Sequence, residues 1–217
     1  MPTGSGSLLD YAMSPGALRE RALDRLHKAP PAPHSDGPGD DDLNAGWNEA
    51  VPLPPLRPAA VLIAVVARDV PSVILTLRTA HLSSHAGQIA FPGGKLDEGE
   101  TVVETALREA EEEIGLASEF VEPLGFLDLY KTRTGFEVSP MVAMIRPGFE
   151  LVANPNEVED VFEVPLAFLL DEANHLTHSR VWQGKDRYFY AIPYRERYIW
   201  GATAGIIRNF HRKLTFV

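Results

Sequence analysis

The chain has 217 residues, enough to bury one sizeable core and few for two full-sized domains. With 30 acidic and 20 basic residues its formal net charge is -10, a field that repels nucleic acid and anionic membranes but not a small phosphorylated ligand held through cations. No cysteine occurs, which excludes disulfides, thiolate catalysis and zinc-thiolate sites and fits a reducing, cytoplasmic setting.

In chain order, the first residues lack a basic start followed by an apolar stretch, so no secretory signal is expected. The longest uninterrupted apolar run, 59 to 67, is nine residues. A bilayer-spanning helix needs about 20, so a soluble protein is expected. Residues 15 to 28 predict an amphipathic helix, with Ser14 as N-cap, Pro15 in the first turn and Leu18, Ala22 and Leu26 on one stripe. Residues 30 to 42, rich in Pro, Gly and Asp, predict a flexible linker. Residues 1 to 56 thus form an N-terminal helix plus linker, and 57 to 217 the globular domain.

Within that domain, 59 to 66 is a continuous apolar, β-branched run suited to a strand buried on both faces. A second strand is expected over 73 to 78. The glycine turn FPGG then introduces a helix over 100 to 114, with Gly115 placed to stop it. Strands follow over 120 to 129 and 136 to 145, a short segment over 158 to 164, and a helical turn over 165 to 170. Two more strands are expected over 177 to 182 and 187 to 192. The last helix, 202 to 213, carries Ile206, Ile207 and Phe210 on its apolar side. This alternation predicts an α/β layered domain.

On the helix over 100 to 114, spacings of three and four place Glu109, Glu112 and Glu113 on one narrow face. Val103, Ala106, Leu107, Ala110 and Ile114 form a neighbouring apolar face that can pack on the sheet. Like charges so spaced destabilise a helix by roughly 0.2–0.5 kcal/mol per pair. Hard cations such as Mg²⁺ or Mn²⁺, which prefer carboxylate oxygen, would remove that cost. Arg108 is in reach of Glu104 or Glu112, and Gly93 and Gly94 allow a tight turn close to a ligand. Taken alone, the helix is also consistent with a solvated acidic face.

The surrounding residues decide between these readings. Gly94, Glu100, Arg108, Glu109, Ala110, Glu112, Glu113, Gly115 and Leu116 match every defined position of the Nudix hydrolase signature. The resemblance implies the Nudix fold, an α/β/α sandwich with a mixed central sheet, and hydrolysis of a nucleoside diphosphate linked to another group. It puts Glu109, Glu112 and Glu113 in metal-ligand positions together with the Gly94 backbone, and Arg108, Glu100 and Gly93 in supporting ones. Mg²⁺ or Mn²⁺ held there would neutralise the diphosphate and activate water, with Glu109, Glu112 or Glu157 as the catalytic carboxylate.

A narrower resemblance precedes the signature. In ILTLRTAHLSSHAGQIAFPGG, Thr76, Arg78, Gly87, Phe91, Pro92, Gly93 and Gly94 are similar to the extra motif of the coenzyme A pyrophosphatase branch. Thr79 stands where serine or alanine is usual, and Ser83 where arginine is usual, which removes a possible phosphate contact. The branch implies a coenzyme A-like small-molecule substrate, cut to 4'-phosphopantetheine and adenosine 3',5'-bisphosphate. Arg78, Lys131 and Arg133 are the candidate phosphate-binding cations. His81 and His85 are read as structural rather than substrate contacts. Trp182, Tyr188, Tyr190 and Trp200 are stacking candidates that a strand core would equally explain. NADH or ADP-ribose is an alternative substrate, and a non-catalytic nucleotide sensor an alternative class. Homodimerisation, with residues 1 to 55 as an interaction arm, is left open.

Overall fold

The computed structural model describes residues 14 to 44, 55 to 81, 86 to 182 and 184 to 215. Its organising strand is β1 (Arg57–Val66), and the reason is visible in its side chains. Successive residues of a strand face opposite sides, and here both sides are apolar. Ala60, Leu62, Ala64 and Val66 join one core cluster, while Ala59, Ile63 and Val65 join the other. The expectation of a strand buried on both faces is met.

Around β1 lie β2 (Ser72–Arg78), β3 (Ile89–Ala90), β4 (Gly93–Lys95), β5 (Val121–Phe126), β6 (Tyr130–Lys131), β7 (Phe136–Ile145) and β8 (Val158–Pro165). They form an eight-stranded mixed sheet with a main path β3-β2-β1-β7-β5. β1 and β7 run parallel over their full length, and the other pairs are antiparallel. β1 and β2 are paired only at Val65–Val73 and Val66–Ser72, then splay apart. Short β3 joins β2 and short β4 joins β1 in the opened gap. The FPGG turn is therefore wedged into the sheet as part of β4. It does not lead directly into the helix as its sequence position suggested.

Helix α2 (Val102–Ile114) covers the face of Ala60 and Leu62 through Ala106, Ala110 and Ile114. The opposite face is covered by α1 (Pro15–Arg25), the short α3 (Leu166–Leu169) and α4 (Ala202–Thr215), with Leu18, Ala22, Ile206, Ile207 and Phe210 inward. The result is the α/β/α arrangement with a mixed central sheet. A separate three-stranded antiparallel sheet, β9 (Leu176–Trp182), β10 (Lys185–Tyr194) and β11 (Arg197–Trp200), stands beside α4.

Two N-terminal expectations need correction. The first helix ends at Arg25 rather than 28, because the chain leaves it to pair with β5: His27 and Phe126 exchange both backbone hydrogen bonds. Residues 30 to 42 do not form a free linker. The His34 amide donates to Glu137, the Asp40 carboxylate accepts from the Tyr130 hydroxyl and the Arg133 amide, and Gly39 bridges to Lys131. Asn44 closes the run, exchanging two hydrogen bonds of 2.9 and 2.8 Å with the backbone of Tyr188. A Pro/Gly/Asp composition rules out a core of its own, but its aspartates and free backbone groups can still satisfy a neighbouring strand.

Candidate active site

The acidic helix is held at both ends by local chemistry. Thr101 caps α2 through the Glu104 amide, and the Glu104 carboxylate returns the bond to the Thr101 amide, a capping box. Glu104 is thereby committed to the cap and is not the partner of Arg108. At the other end Gly115 takes the left-handed conformation, φ 68°, that ends a helix and favours glycine. Glu100, just before the helix, accepts from the Thr105 hydroxyl, the Asp97 amide and two nitrogens of Arg108. The Arg108 hydrogen bonds hold its carboxyl down at about 2, so Glu100 stays ionised and fixes the arginine.

Arg108 then uses its remaining nitrogen on the glutamate face, donating to Glu109 and to Glu112 at 3.0 Å each. Glu109 is half-buried, and desolvation raises its carboxyl despite Arg108. Glu112 is largely exposed, with 56% of its side chain accessible. Glu113 is buried, its side chain only 2% accessible. It accepts from the Gly93 amide and from Arg78, both at 3.2 Å. Burial outweighs those two donors and pushes the Glu113 carboxyl up to about 7.

Several expected participants gather here. Arg78, from β2, reaches Glu113 on α2, and its Nε is buried without a partner. Glu157 lies in the loop before β8, close enough for its charge to push the Glu109 and Glu113 carboxyls upward. That loop is tied to the end of α2, the Asn154 amide donating to the Glu113 carbonyl and the Val152 amide to that of Ile114. Gly94 lies against Glu109, and a Cβ there would fall on the Glu109 carboxylate. His81 is a structural contact, its Nε2 3.2 Å from the Asn156 carbonyl. Ser83 and His85 lie outside the described residues.

Others are placed elsewhere. Arg133 pairs with Asp41 at 3.1 Å, and the Lys131 backbone pairs with Pro38 and Asp40. Both lie against the N-terminal segment, and Arg133 also faces the three-stranded sheet. Among the described residues, no three acidic or histidine side chains converge on one metal-binding point. Glu109 and Glu112 instead share Arg108, which is already paired with Glu100, and Glu113 pairs with Arg78. The donor set is nonetheless all carboxylate oxygen, the kind that suits Mg²⁺ or Mn²⁺, and the missing Cβ of Gly94 leaves Glu109 its room. The sequence reading missed Arg180 and Arg187, although each stands two residues from an aromatic on an expected strand.

A protein-family model described as NUDIX domain matches residues 55–185. The chain is 42% identical to a protein named uncharacterized Nudix hydrolase NudL from Escherichia coli O7:K1 over 154 residues, 70% of this chain and 80% of that one. It is equally identical to a protein of the same name from Photorhabdus laumondii over 161 residues, 73% of this chain and 85% of that one. Among solved structures it is similar to a MutT NUDIX hydrolase from Burkholderia pseudomallei, with 27% identity, a TM-score of 0.41, and coverage of 52% of this chain and 85% of that one. It is also similar to an Ap4A hydrolase of C. elegans, with 19% identity, a TM-score of 0.44, and coverage of 51% and 81%. The fold and the glutamate helix thus define a hydrolase of a family that generally uses divalent metal ions. The chain belongs to the Nudix family.

Proposed function

We propose that the protein is a Mg²⁺- or Mn²⁺-dependent diphosphatase that cleaves coenzyme A or a derivative to 4'-phosphopantetheine and adenosine 3',5'-bisphosphate. One arrangement carries this reading. Arg78 and Gly93, both from the motif similar to the coenzyme A pyrophosphatase branch, are the two donors to Glu113 of the family signature. That pairing supports reading the branch-like motif and the signature as parts of one site.

In this reading Glu109, Glu112 and Glu113 hold the cations, which neutralise the diphosphate and lower the pKa of water when bound. To hold a cation, Glu109 and Glu112 would have to give up Arg108, which Glu100 would keep beside them. Were Glu113 to hold a cation, Arg78 would be the guanidinium available to the diphosphate. Glu157 takes the proton of the attacking water from its loop. Water then bonds to one phosphorus as the bridging P–O bond breaks. Ser83, where the branch has arginine, favours a second reading in which NADH or ADP-ribose is also cleaved. A panel of kcat/KM values decides between them: coenzyme A is expected to lead, and a lead for NADH or ADP-ribose would reassign the substrate.

A further inference from the structure

The three-stranded sheet carries a side-chain arrangement that the glutamate site does not use. In β9 and β10, Arg180 and Arg187 are directly opposed, so their side chains share one face. Trp182 and Phe189, two residues along, and Trp200, opposite Ala191, lie on that same face. Like charges directly opposite on antiparallel strands are destabilising. Here each guanidinium is laid over a tryptophan, Arg180 over Trp200 at 5.2 Å and Arg187 over Trp182 at 5.4 Å. Phe189 meets Trp200 edge-on at 5.3 Å.

This face lines a cleft of about 380 Å³ that Arg133, Thr132 and Gln88 also line. Asp41 lies between Arg133, at 3.1 Å, and Arg187, at 3.9 Å, so three arginines meet two aspartates, Asp40 and Asp41, and the wall stays net positive in a protein of net charge -10. Indole faces and arginines suit a ligand that is both flat and anionic: a nucleobase stacks on indole, and a phosphate takes guanidinium hydrogen bonds. The strand path also links the cleft to the glutamates. Gln88 lines the cleft and accepts from the Arg78 amide, while the Arg78 side chain reaches Glu113.

We propose that this cleft binds the nucleotide half of the substrate, a nucleobase with a phosphate on its ribose, with Arg180, Trp182, Arg187 and Trp200 as the recognition residues. The assignment to a substrate half rests on the diphosphatase reading; the cleft's preference for an anionic nucleotide does not. A phosphate bound between the two opposed arginines would relieve their like charge.

The test is calorimetric titration of the full chain with adenosine 3',5'-bisphosphate in chelator, beside Arg180→Ala, Trp182→Ala and Glu112→Gln. Saturable binding is expected for the unaltered protein and Glu112→Gln. Arg180→Ala and Trp182→Ala, on strands at the surface, are expected to weaken it about tenfold or more, with AMP binding more weakly than the bisphosphate. No saturable binding, or equal binding by both cleft variants, overturns the proposal. Coenzyme A turnover measured on the same samples keeps the two readings apart: binding without turnover sinks the diphosphatase and leaves the cleft, and turnover with unchanged KM in the cleft variants sinks the cleft alone.

Discussion

The glutamate site and the aromatic cleft are built in opposite ways. Most of the first comes from one stretch, Gly93 to Gly115, whose helix sets three carboxylates by periodicity and whose capping residues set its ends. The second is assembled from residues 39 to 43, 130 to 134 and 180 to 202, brought together by pairing across two sheets. A short-range pattern can specify chemistry directly. A surface made by strand register specifies it only once the fold exists, so the family's shared reaction and this chain's own selectivity can reside in different places.

If the catalytic half is as described, Glu109→Gln lowers kcat on the diphosphate substrate by about 10² to 10⁴ and leaves adenosine 3',5'-bisphosphate binding in the cleft unchanged. Steady-state kinetics beside titration check this, and parallel loss of both would break the division between the two regions. Gly94→Ala puts a Cβ on the Glu109 carboxylate. A displacement of that size at a reacting centre is expected to cost about a hundredfold in kcat, again without touching the cleft; wild-type kinetics would show that Glu109 does not need its position.

The buried carboxylate adds a pH signature. Burial pushes the Glu113 carboxyl up to about 7 in the folded state, from an ordinary value of 4.5. Its stabilising contribution is therefore complete below the unfolded value and is lost as pH rises through about 7. In chelator, the unaltered protein is expected to lose about 2 kcal/mol between pH 5 and pH 8 relative to Glu113→Gln. Denaturant unfolding at the two pH values measures it; equal slopes for both proteins would remove the burial argument. The smallest effect belongs to the cleft's border. Asn44→Ala removes both hydrogen bonds to Tyr188 and is expected to cost about 1 kcal/mol, with weaker nucleotide binding and an unchanged kcat.

Much of the central sheet and the acidic helix were legible in the sequence. β1 and α2 show why: an apolar run with both faces buried and a period of 3.6 are properties of contiguous residues. Four short strands were not legible. Ile89–Ala90, Gly93–Lys95 and Tyr130–Lys131 are too short to carry a period, and Arg197–Trp200 lies beside a turn. The docking of residues 30 to 42 was also hidden, because polar residues that satisfy a distant strand look like residues that satisfy water. At the site, spacing places Glu109, Glu112 and Glu113 on one narrow helix face. It could not show that burial would divide them into an exposed Glu112, a half-buried Glu109 and a Glu113 closed off by Arg78, because burial depends on β2 and β4. Charge singles out Lys131 and Arg133; the fold pairs the Lys131 backbone with the N-terminal segment and sets Arg133, held by Asp41, in the aromatic cleft rather than beside the glutamates.

The most direct test of the account is product analysis after incubation with coenzyme A and Mg²⁺ or Mn²⁺, beside Glu112→Gln. Adenosine 3',5'-bisphosphate and 4'-phosphopantetheine formed by the unaltered protein, and at least about a hundredfold more slowly by the variant, is the predicted result. Intact coenzyme A under both metals, or equal product from Glu112→Gln, would contradict it.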